Sequence, residues 1–206
     1  VCVSCAQFKR GRSLATSGLV AQKAGKFTMA AMRALADVID GFNEALGRLA
    51  AWATLAVVLV CCAVVVLRYA FSSGFVWMQE LYVWLHAAAF MLAAGYTLKH
   101  DGHVRVDIVY ARMRPRGRAI VNLLGCFLFL FPWIAVLLIY GLPFAASAFA
   151  IREPSGQAGG LPGLFLVKGL VVAMAVVLGL QGVSLTLRSL HVLHGHPTGL
   201  REEDHR

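Results

Sequence analysis

Four blocks of apolar residues, each about as long as a helix that crosses a bilayer, dictate what this chain can become. They lie at residues 49–67, 76–98, 120–142 and 163–187. A helix rises about 1.5 Å per residue, so about 20 residues cross a hydrocarbon core about 30 Å thick. No water is available there to satisfy backbone N–H and C=O groups, and a helix satisfies them within one segment. The expected fold class is an all-α membrane protein with four transmembrane helices. Composition agrees, since 59% of the 206 residues are hydrophobic and only 14% are charged, well outside the range of soluble domains.

Residues 1–28 mix Ser, Gly, Ala, Lys and Arg without apolar periodicity, and no apolar run follows the basic residues closely enough for a signal peptide. They are expected to form an unstructured extension. The chain opens on Val1, and Met29 and Met32 are candidate translation starts. From residue 29 to residue 50, Leu35, Val38, Ile39, Phe42, Leu46 and Leu49 recur at helical spacing, with Arg33, Asp37, Asp40, Glu44 and Arg48 on the other face. An amphipathic N-terminal helix is expected there, leading straight into the first span and either lying along the membrane surface or packing on a partner.

Only a Ser- and Gly-rich turn at residues 70–75 separates the first two spans, so these must form a tight antiparallel hairpin. In the third span Pro132 is expected to remove a helical hydrogen bond and kink the helix, and Pro143 to weaken its outer end. The four-helix domain with its amphipathic helix is assigned to residues 29–190, and a tail to residues 191–206.

The formal charge of +9 is concentrated in the N-terminal segment and in one loop. That loop, residues 99–118, carries Lys99, Arg105, Arg112, Arg114, Arg116 and Arg118 against Asp101 and Asp107. By the positive-inside rule it is cytoplasmic. Four spans then place both termini on the same, cytoplasmic side of the membrane. No basic region is interleaved with stacking aromatics, so nucleic acid is not an expected partner.

An ionisable group deep in a bilayer is costly and marks a site, and His86 alone lies near the middle of a span. A haem or metal would need a second ligand at matching depth, whereas His100, His103, His191 and His194 fall at or beyond the span ends. His86 is therefore expected to be neutral and hydrogen-bonded, and no cofactor or metal is expected. Arg68 and Glu80 flank the hairpin turn and are expected to neutralise one another. Lys168 lies early enough in the fourth span to reach the headgroups.

Small residues such as Ala89 and Ala93, or Ala175 and Gly179, allow close helix approach, either to a partner or within the bundle. Cys61, Cys62 and Cys126 lie in apolar blocks as small hydrophobes, and Cys2 and Cys5 stand without a second pair to make a zinc site. Neither inverted repeats nor broken helices of a substrate site are visible in the sequence. An accessory, non-enzymatic role is expected.

Arg68-Tyr69 followed by Trp77-x-x-Glu80-Leu81, the run Gly102-His103-Val104-Arg105-Val106-Asp107, and Ser147, Glu153, Ser155, Gly160-Leu161-Pro162 and Lys168 come in a characteristic order. Over residues 35–193 this pattern resembles the small membrane subunit of tripartite ATP-independent periplasmic (TRAP) transporters. The resemblance implies an inner-membrane protein in stable complex with a large permease subunit that holds the sodium and substrate sites. It also implies a periplasmic solute-binding protein as a transient partner, and sodium-driven uptake of an organic acid or related solute. Within this chain it singles out Arg68, Trp77, Glu80, His103, Arg105, Asp107 and Lys168 for hairpin geometry, loop structure or subunit contact. The competing reading is a small membrane anchor of a haem or quinone redox complex.

Overall fold

A computed structural model describes residues 3–103, 110 and 112–194, with side chains from residue 29 onwards. The described residues form helices α1 (Val3–Ala70), α2 (Val76–Lys99), α3 (Pro115–Gly125), α4 (Phe131–Ala150) and α5 (Leu164–Leu193), with a π-helical turn, Cys126–Leu130, joining α3 to α4. The backbone of α1 starts within the stretch for which no regular structure was expected. Four helical stretches are long and apolar enough to cross a membrane: Met29–Ala70, Val76–Lys99, Pro115–Ala150 and Leu164–Leu193. The first three contain the predicted blocks 49–67, 76–98 and 120–142, and the fourth starts one residue inside the predicted block 163–187.

The π turn precedes Pro132, the second residue of α4. Proline lacks the N–H that would continue the ladder, and one wider turn shifts the hydrogen-bond register around it. Pro143 lies inside α4, which runs on to Ala150. The helix continues past it, since in an apolar surround a helix remains the best way to satisfy the remaining backbone groups.

Helix ends use left-handed residues that are not glycine. Asp101 (φ 53°) follows α2, where Gly102 N–H bonds Thr97 O at 2.8 Å and Asp101 N–H bonds Leu98 O at 3.3 Å. Arg152 (φ 46°) follows α4 in the same way, with Glu153 N–H on Ala148 O and Arg152 N–H on Phe149 O. Both are Schellman endings, which satisfy orphan carbonyls by turning the chain sharply.

Helix α5 is central, packing on α1, α2, α3 and α4; α1 and α2 pack on each other as the predicted hairpin. The core is built of small residues, including Ala50, Ala89, Ala145, Ala148 and Ala175. Ala89 and Ala175 thus serve packing within the bundle. Large apolar side chains point outward instead, with Trp52 and Phe90 both 70% exposed and Phe129 76% exposed. Such an inside-out distribution suits a lipid or protein surround, because close van der Waals packing of small residues, not exclusion from water, drives helix association there.

Candidate functional site

Polar groups gather at the two ends of the bundle. At the hairpin end Glu80 lies in the second turn of α2, and a carboxylate there requires donors. The loop between α4 and α5 supplies them. Ser155 Oγ–H donates to Glu80 Oε1, and the Leu161 backbone N–H donates to Oε2 at 2.7 Å. Ser155 N–H in turn bonds Leu161 O at 3.2 Å, closing the loop on itself. A Cβ on Gly160 would lie 2.5 Å from Ser155 Oγ and 2.7 Å from Glu80 Oε2, so a side chain there would displace the two groups that bond each other. Lys168 of α5 ties the start of the same loop through Glu153 at 2.5 Å, with its ammonium 4.6 Å from the centre of the Phe144 ring.

Arg68 is exposed and takes no part. The expected Arg68–Glu80 pair is replaced by the Glu80 latch, because the loop donors reach the carboxylate from within the bundle.

At the opposite, tail end, the polar face of α1 meets α5. Asp40 accepts hydrogen bonds from Gln181 Nε2 (3.0 Å), Ser184 Oγ (2.7 Å) and Arg188 (2.6 Å). Buried Asn43 donates to Gln181 Oε1 at 2.6 Å, extending the network towards the apolar zone. Arg188 also pairs with exposed Asp37 at 2.8 Å, and Arg33 donates to the buried ring of His191. A cavity of about 250 Å³ is lined by Arg33, Asp37, Arg188 and His191.

On the α2 side, Lys99 and His100 lie 2.5 and 3.0 Å from Glu44 Oε2. The Lys99 ammonium first, then the His100 ring, holds this carboxyl, which precedes the apolar stretch of α1, down to about 2.

Residues 29–50 continue into the first span as one helix and use their polar face inside the chain, leaving Leu35, Val38, Phe42 and Leu49 outward.

The motif residues do not converge. Glu80 and Lys168 brace one loop; Trp77 is exposed beside Phe75, their ring centres 6.4 Å apart. His103 is exposed at the far end of α2, while Arg105 and Asp107 lie outside the described residues. Asp40, Asn43, Gln181, Ser184 and Arg188 were missed as a group. The usable signal was a polar stripe on α5 at spacings of three and four, matched by Asp37, Asp40 and Asn43 on α1.

His86 departs from expectation too. It is exposed at mid-length of α2 and has no hydrogen-bond partner among the described residues. No group of three or more His, Cys, Asp and Glu side chains able to hold a metal occurs among the described residues.

A family model described as the DctQ component of tripartite ATP-independent periplasmic transporters matches residues 57–192. The match takes in the latch, the π turn and the α5 side of the tail-end network. No curated protein and no solved structure matches the chain.

Proposed function

The chain belongs to the DctQ family, the small membrane component of TRAP transporters, and from that premise we propose that it supports a large permease subunit in sodium-driven, binding-protein-dependent import of an organic acid or related solute. The observation that carries the proposal is the family match over residues 57–192, laid over four helices long and apolar enough to span a membrane. The family is one of transporter components, not enzymes, and it does not favour the redox-anchor alternative. In the proposed complex the large permease binds sodium and solute, and a periplasmic binding protein delivers the solute. This chain contributes a braced bundle whose outward faces are largely apolar.

The proposed location is the bacterial inner membrane, with both termini and the loop at residues 99–118 in the cytoplasm. The Lys and Arg excess of that loop supports this orientation. The tail-end network then lies at the cytoplasmic face, and the Glu80 latch at the periplasmic face, the side from which a binding protein would approach. The tail at residues 191–206 is assigned to the cytoplasm, although residues 195–206 lie outside those described.

Co-purification tests the role directly. A tagged copy expressed in its native membrane and extracted gently is expected to bring down a much larger polytopic permease in stoichiometric amount. Recovery of the chain alone, or with a redox enzyme, under conditions that preserve membrane complexes would overturn the proposal.

A further inference from the structure

Helix α2 is covered by α1 and α5 along most of its length, and within its apolar middle one narrow strip is left exposed. Val83 (52% exposed), His86 and Phe90 (70% exposed) follow one another at spacings of three and four and so share one helix face. His86 is roughly 15 Å from the Val76 end of a helix about 36 Å long, at 1.5 Å per residue. That is mid-depth in a span. Among the acidic and basic side chains of the four apolar blocks, Glu80 and Lys168 are bonded within the chain, and His86 alone is exposed.

A neutral imidazole carries one N–H donor and one acceptor nitrogen. Hydrocarbon satisfies neither, and ionisable groups within spans face protein or water-filled cavities rather than lipid. The side chain is also too short to reach a headgroup from the middle of a helix, as a long lysine does near an end. The other outward faces contrast with this one. Leu55, Val58 and Leu59 on α1, and Phe127 and Phe129 before α4, offer acyl chains nothing but apolar surface.

We propose that the Val83–His86–Phe90 strip of α2 is a docking surface for a transmembrane helix of the large permease, which presents a hydrogen-bonding side chain or an unpaired backbone carbonyl to His86 at mid-depth. The proposal rests on the accessory-subunit reading above and names the surface that reading leaves open. Val83 and Phe90 lie one turn to either side of the imidazole and seal the contact, as near-neutral apolar contacts commonly surround a polar anchor.

The test uses the chain expressed with its partners in native membranes. His86→Leu is expected to lower recovery of the large permease roughly 3- to 30-fold, the range for one interhelical hydrogen bond in a membrane. The thermal stability of the isolated variant should stay the same or rise, since a leucine at an exposed mid-span site suits the hydrocarbon, and this separates docking from folding. A photo-activated cross-linking residue at Phe90 is expected to label the large permease, and the same residue at Leu59 to label lipid.

Full recovery of the permease with His86→Leu, together with no adduct or only a self-adduct from position 90, would overturn the docking surface and leave the accessory role standing. Failure of the unaltered chain to bring down any large permease would overturn both.

Discussion

Glu80 lies near the end of a span, and its carboxyl group is held by two donors far away in sequence: the Ser155 hydroxyl and the Leu161 backbone N–H. Glu80→Ala is expected to destabilise the protein by about 1–3 kcal/mol, the usual cost of leaving partly buried donors unpaired. Thermal unfolding in detergent measures it. Ser155→Ala should cost less, and the double variant should lose less than the sum, because both substitutions remove the same bond. Arg68→Ala should change stability by no more than about 0.5 kcal/mol, as an exposed side chain outside the network.

A parallel contrast holds at the other end, where Asp40 accepts from three side chains. Asp40→Ala is expected to cost about 2 kcal/mol, below the range for a fully buried broken pair because Arg188 is 33% exposed. Asp37→Ala should cost under about 0.5 kcal/mol, since that carboxylate is 69% exposed. The same unfolding assay decides, and equal losses for the two aspartates would refute the ranking.

Helices approach each other in this bundle only as closely as their smallest residues permit. A Cβ on Gly47 of α1 would sit 2.3 Å from Tyr96 Cδ2 and 2.9 Å from Tyr96 Cβ, near the root of a side chain that cannot swing clear. Gly47→Ala is expected to destabilise by about 1–3 kcal/mol through overpacking. Gly41, two turns earlier on the same helix, has nothing within 4 Å of a built Cβ. Gly41→Ala should therefore stabilise by about 0.5–1 kcal/mol through helix propensity alone. Opposite signs from one substitution type on one helix, read by unfolding of the two variants, would confirm the α1–α2 contact.

Viewed whole, the molecule is a core of small residues braced at both ends by polar networks, with apolar faces turned outward. Such a shape suits a subunit that must hold its own helices together while offering its exterior to lipid and to a larger partner. The proposed orientation can be read by labelling single cysteines in a background with the five natural cysteines replaced. A cysteine in place of exposed Arg152 is expected to react with an impermeant maleimide from the periplasmic side of intact cells stripped of outer membrane. One in place of exposed His103 should react only after lysis. Reversal of the two would invert the topology and remove the basis for placing the Glu80 latch at the periplasmic face.

The sequence by itself determined the fold class, the four spans, the tight hairpin and the family resemblance. A bilayer imposes a local requirement, that each span satisfy its own backbone and be apolar over about 20 residues, and a local requirement is written in consecutive residues. Which face of each apolar span turns inward was decided by the tertiary structure. In a span nearly every face is apolar, so periodicity carries little contrast, and inward positions are chosen by the fit of small residues such as Gly47 and Gly95 against neighbours distant in sequence. That is why Glu80 bonds a loop more than 70 residues away rather than nearby Arg68, why the polar face of α1 turns to α5, and why His86 faces out.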